Sequence, residues 1–66
     1  MNVEVIGTWA GQVWNALHES GKLTVKGLKK ATKLKEKEIY ADLGWLAREG
    51  KVSISETEAD VEVVLL

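Results

Sequence analysis

Seven lysines fall within residues 22–38, against only Glu36 and Glu38, and no other stretch of the chain is so rich in one kind of reactive group. Ammonium groups at that density neutralise phosphates. Lys26, Lys29, Lys30 and Lys33 recur at i, i+3, i+4 and i+7, the spacing of one helical face. Lys35 and Lys37 prolong the row. A helix carrying such a row can lie across the backbone of DNA, so duplex DNA is an expected partner, with Lys37, Tyr40 and Ala41 facing the groove. The same row also fits a solvated face that keeps a small domain soluble. Base reading favours arginine, and Arg48 is the only one in the chain.

The rest of the chain argues against strong nucleic-acid binding. Within residues 51–66, Lys51 stands alone against Glu56, Glu58, Asp60 and Glu62. A segment that tracks a DNA groove carries cations, whereas this end repels phosphate. The formal net charge is −1, far from the strongly basic balance of dedicated binders. Cysteine is absent and His18 is the only histidine, which removes disulfides, thiolate sites and a zinc centre. No Ser/His/Asp set, no paired carboxylates in a cleft and no glycine-rich phosphate loop occur. Neither enzymatic activity nor a cofactor is expected.

Trp45 is the sharpest single signal. Helical arithmetic puts it about 200° from Leu43, beside Ala41 and Arg48 on an outer face. Two readings stand: a satellite core in which other parts of the chain fold over the ring, or an aromatic anchor for a partner among small neighbours. Gly7 and Gly11, one helical turn apart, allow close approach of a strand or a tryptophan ring, at about 1 kcal/mol each relative to alanine.

These residues need elements to hold them. Ile6, Trp9, Ala10, Val13, Trp14 and Leu17 follow the 3.6-residue period and predict a buried face on a helix over Val3–Ser20, capped by Asn2 and stopped by Gly21. Thr24 is the expected cap of a second helix over residues 25–33, with Val25, Leu28, Ala31 and Thr32 inward and Leu34 as a plug in the turn. A third helix over residues 36–49 carries Ile39, Leu43, Leu46 and Ala47 on its inner face. Glu36 and Glu38 suit its start, Arg48 its end, and Gly50 the left-handed position beyond it. Two strands follow, over residues 51–56 with Val52 and Ile54 inward, and over residues 61–66. Thr57-Glu58-Ala59-Asp60 joins them as a four-residue loop. Lys22-Leu23 is an extended link that could add a third short strand.

Sixty-six residues make one domain, expected to span residues 1–66. A chain of this length buries only about 60% of its unfolded surface. Three tryptophans and a C-terminal Val63-Val64-Leu65-Leu66 run, apolar on both faces of its strand, therefore predict a homodimer. Its expected contacts are Trp14, Trp45, Val64 and Leu66, with Gly7 and Gly11 allowing close approach. No apolar run reaches the ~20 residues that span a bilayer, and no signal peptide is recognisable, so the expected location is the cytoplasm.

Two segments, Ile6-Gly7-x-x-Ala10-Gly11-x-Val13-Trp14 and Leu43-Gly44-Trp45-Leu46-Ala47-Arg48-Glu49, together resemble a family of small stand-alone bacterial winged helix-turn-helix domains of uncharacterised function. The resemblance covers nearly the whole chain. It implies an α+β fold of three helices and a two-stranded antiparallel wing, and by analogy a regulator-like or nucleic-acid-associated role. It brings no catalytic residues. Two functions follow as expectations: a transcription-associated module with weak or non-specific DNA affinity, and a winged helix that meets a protein and does not bind DNA.

Overall fold

The computed structural model describes all 66 residues, Met1–Leu66. Its elements run α1 (Val3–Ser20), β1 (Lys22–Thr24), α2 (Val25–Thr32), α3 (Glu36–Arg48), β2 (Val52–Glu56) and β3 (Val61–Leu65). The three helices and the order of elements are those expected of a winged helix-turn-helix. The sheet has three strands rather than two, in the order β1-β3-β2, both pairings antiparallel.

Local chemistry explains the boundaries. Asn2 Oδ1 accepts the Val5 N–H at 2.9 Å, and Thr24 Oγ1 accepts the Gly27 N–H at 3.1 Å, so α1 and α2 each start on a side-chain cap. Glu38 reaches back from the first turn of α3 to accept the Lys35 N–H at 2.8 Å. α2 is one residue shorter than expected: Lys33 leaves the helix in the left-handed region at φ 64° and serves as its C-cap. α3 ends at Arg48. Gly50 then turns the chain at φ 73°, and the Lys51 N–H closes onto the Leu46 carbonyl at 3.0 Å, a turn that favours glycine because a Cβ would be strained there.

Ten apolar side chains, among them Val13, Leu17, Leu28, Ile39 and Val63, form one buried cluster against which Leu34 and Trp45 pack. Its largest seam lies between α1 and α3. Several expected core positions differ. Ile6, Trp9 and Trp14 are only half-buried. Ala31 and Ala47 are exposed, and Asp42, not assigned inward from the sequence, is fully buried. The inner arc of α3 is rotated away from Ala47 towards Asp42 and Trp45, because α1 lies over that side. Ile54 shares a sheet face with Val63 but is 41% exposed. It stands on an edge strand, so Val63 shields only one of its flanks.

The C-terminal strand also departs from expectation. β3 is the central strand, bonded to β1 on one side and β2 on the other, so it has no free edge for strand addition. Val64 alternates away from buried Val63 onto the outer sheet face. There it sits between Lys22 and Ser53, with Glu62 two residues along the same strand face. That face is largely polar and needs no cover.

Candidate interaction surfaces

The lysine row is real but not one open field. Lys26, Lys29 and Lys30 project from α2, Lys33 from its cap, and Lys35 and Lys37 from the start of α3, all exposed, with Tyr40 44% exposed one turn further. Lys29 Nζ lies 3.9 Å from Glu36, and Lys22 Nζ lies 3.4 Å from Glu62. These exposed pairs leave Lys30, Lys33, Lys35 and Lys37 without an ionic partner, while Lys26 lies in the field of Asp60. The solvent side of α3 offers Lys37, Tyr40, Gly44, Ala47 and Arg48. Such a surface is poor in base-reading groups.

The wing lies against this region. The four-residue loop closes on itself: the Thr57 N–H donates to the Asp60 carbonyl at 2.8 Å, and the Asp60 N–H donates to Thr57 Oγ1 at 3.1 Å. Asp60 Oδ1 accepts the Val61 N–H at 2.7 Å, and Oδ2 accepts the Lys26 N–H at 3.1 Å. The wing thus lends a carboxylate to the N-terminal turn of α2, where the helix dipole and unpaired N–H groups favour an anion. The Val61 and Lys26 N–H donors hold the Asp60 carboxyl below the usual carboxylate range. Nothing near Asp60 in the sequence announces this bond, which joins residues 34 apart.

On the other side of the molecule, α1 and the end of α3 border a groove of about 380 Å³. Gly7, Gly11, Trp14, Trp45, Glu49 and Lys51 are among its lining residues. Trp45 is half-buried and packs on the core; its ring runs against Gly7, where an added Cβ would stand 3.8 Å from Cζ2. The satellite-core reading therefore accounts for that flank of the ring. Trp14 stacks on His18 with ring centroids 4.9 Å apart and planes 9° apart. Gly11 is different from Gly7: a Cβ there would meet nothing within 4 Å. Of the four expected dimer contacts, Trp14 and Trp45 share the groove. Leu66 stands near its end, its N–H bonded to the Lys51 carbonyl at 3.0 Å, while Val64 lies on the outer sheet face. The four do not form one patch.

Asp42 is the residue that sequence reasoning missed. Its side chain is wholly buried and neither carboxylate oxygen has a hydrogen-bond partner. Burial pushes its carboxyl up to about 7, and the negative charge of Glu38 adds to the effect. The signal was weak: on a helical wheel Asp42 lies about 40° beyond Leu46 and 60° from Ile39, just outside the edge of the expected apolar arc and between Leu46 and Trp45.

The model of the family described as "Winged helix-turn-helix domain (DUF2582)" matches residues 1–65. The chain belongs to that family. A solved relative in shape and sequence is protein BT2368 from Bacteroides thetaiotaomicron, determined by solution NMR. It is 32% identical, with a TM-score of 0.85 over 98% of this chain and 79% of that one. No curated protein matches the chain. No helix of this winged helix-turn-helix domain is long and apolar enough to cross a membrane. Membership fixes the scaffold, and the scaffold alone does not fix what it binds.

Proposed function

We propose that this winged helix-turn-helix domain is a protein-docking module whose groove between α1 and α3 receives an apolar side chain of a partner protein. The observation that carries this reading is Gly11. It is an exposed helical glycine lining the groove, with open space where its Cβ would be, so nothing inside the fold requires it. A glycine there costs about 1 kcal/mol of helix propensity relative to alanine. A partner that must come close to the α1 backbone between Trp14 and Trp45 supplies the missing reason. The acidic wing, with Asp60 seated on α2, and the small side chains on the solvent side of α3 support the same reading by disfavouring DNA. A second copy of this chain is the first partner to test, as the residues Trp14 and Trp45 of the expected dimer share this groove.

One observation favours a second reading. Lys30, Lys33, Lys35 and Lys37 are exposed and without ionic partners, which suits loose, sequence-independent contact with duplex DNA that salt abolishes. Nitrogen-15 spectra separate the two. In a dilution series from tens of micromolar, the indole N–H signals of Trp14 and Trp45 move if copies dock through the groove. Adding a 20-base-pair duplex at low salt leaves those signals in place on the docking reading. Saturable shifts across α2 and α3 with the groove unmoved through both titrations would replace docking by DNA binding.

A further inference from the structure

We propose that Asp42 is a proton-operated pin between α1 and α3: with its carboxyl protonated the two helices stay packed, and on ionisation their seam loosens. The geometry comes first. Asp42 is fully buried in the middle of α3, and both of its oxygens lack a partner. A buried carboxylate in that state carries the full penalty of lost hydration, whereas the protonated form carries only that of a neutral polar group. Its position decides which seam feels the charge. Trp45 and Leu46, three and four residues on, both border the groove against α1, and a Cβ added at Gly7 would stand 3.8 Å from Trp45 Cζ2. Asp42 therefore stands one turn earlier on the strip of α3 that α1 covers.

No cation is placed to relieve it. On α3 itself Glu38 is half-buried one turn away and repels a second negative charge, while Glu36 is exposed and lies near Lys29. The buried and half-buried residues of α1 include no titratable group; Glu4, His18 and Glu19 are all exposed. From α2, Lys26, Lys29 and Lys30 point to solvent. From the sheet, Glu56 is exposed, and half-buried Glu62 is paired with Lys22. Together these surroundings move the titration of Asp42 up to about 7, so the seam would respond to small pH changes around neutrality. The inference is independent of whether a partner fills the groove.

The test uses the intact chain and the Asp42→Asn variant. Carbon-detected NMR follows the Asp42 carboxyl carbon from pH 3 to 9. Amide hydrogen exchange, corrected for intrinsic chemical rates, compares α1 with β3 at pH 5.5 and 8.5. The expected result is a carboxyl that titrates near neutrality and α1 amides whose opening equilibrium rises at least about tenfold at the higher pH, more than those of β3. In Asp42→Asn that rise disappears. A carboxyl titrating near 4, an equal rise in the variant, or a loss of protection spread evenly over α1 and β3 overturns the proposal. Should the variant fail to fold, the carboxyl titration and the α1-against-β3 comparison in the unchanged protein decide the matter.

Discussion

Two aspartates divide this molecule into unlike halves. Asp60, in an exposed loop, holds two backbone N–H groups and its carboxyl is lowered; Asp42, in the middle of a helix, holds none and its carboxyl is raised. The residue type is the same and the physics is opposite. On the wing side, a charge satisfied by backbone donors ties β3 to α2. On the α1–α3 side, a polar group is set into apolar surroundings beside a groove whose glycine has no internal purpose. The wing side is built to stay as it is, and the α1–α3 side is built with slack. Functional surfaces are drawn from regions of the second kind.

The largest expected effect sets the buried core against the outer face of the sheet. Leu43 is 2% exposed at the centre of the cluster, and replacing it by alanine removes buried contacts and leaves a cavity, costing about 2–5 kcal/mol. In a domain of this size that unfolds much of the population at ambient temperature. Val64→Ala, on the outer sheet face at 39% exposure, is expected to cost far less, within about 1 kcal/mol. Urea unfolding of both variants checks this. Equal losses would mean that the outer sheet face is covered by something, reviving the dimer expected from the C-terminal strand.

The next effect sets the two aspartates directly against each other through pH. The raised carboxyl of Asp42 binds its proton more tightly in the folded state, so it lowers stability as pH climbs from about 4 and the effect levels off above about 7. The full shift from 3.8 to about 7 corresponds to at most about 4 kcal/mol. Asp60 runs the other way: its contribution is present above the ordinary carboxylate value and is lost as pH falls through its lowered folded value. Melting curves from pH 2 to 9 should show Asp42→Asn flattening the decline between pH 4 and 7, and Asp60→Asn lowering stability above about pH 4 while leaving the acid end unchanged. Interchanged effects would break the comparison.

These two residues also mark where the sequence was readable. Helix caps at Asn2 and Thr24, the stop at Gly21 and the four-residue wing loop all depend on neighbours a few residues away, and all were legible. Lys22-Leu23 was recognised as extended, but its membership of the sheet depends on β3, forty residues later. The Asp60–α2 bond is long-range in the same way. The rotation of α3 towards Asp42 was missed for another reason. Helical arithmetic gives the arc of Ile39, Leu43, Leu46 and Ala47, and Asp42 falls about 40° beyond its Leu46 edge, where a carboxylate is seldom buried unpaired. Ile54 was misplaced because alternation assigns a face of the sheet and not whether anything covers its edge. The lysine face was visible at once; its partial pairing with Glu36 and Glu62 was not.

A smaller effect compares glycines from the two halves. Gly11→Ala gains helix propensity with nothing to push aside, and is expected to raise stability by about 0.5–1 kcal/mol. Gly27→Ala gains the same propensity, but its Cβ would stand 3.2 Å from Leu23 Cδ2 and 3.5 Å from Thr24 Oγ1, so part or all of that gain is lost in moving them. Thermal unfolding distinguishes the two. A stabilised Gly11→Ala that also stops the concentration-dependent shifts of the Trp14 and Trp45 indoles would separate folding from docking in one substitution. A destabilised Gly11→Ala would mean that the space over Gly11 is already occupied within the fold.

The smallest effect concerns Lys29 and Glu36. Their charged atoms are 3.9 Å apart with both side chains exposed, a geometry in which Coulomb attraction in water barely exceeds the entropy lost in holding two long side chains together. A double-mutant cycle with Lys29→Gln and Glu36→Gln should return a coupling of no more than about 0.5 kcal/mol, reduced further by 0.5 M salt. The value of so small a number lies in what it frees. If the pair is idle in folding, Lys29 belongs with Lys26, Lys30 and Lys33 as a face whose only consequence is electrostatic. Neutralising it then reads out polyanion contact without a stability correction. A coupling above about 1 kcal/mol would show instead that the pair braces the turn between α2 and α3, where Lys33 already holds a left-handed conformation. The lysine row would then be part of the wing side's rigid construction, and its density would need no nucleic acid to explain it.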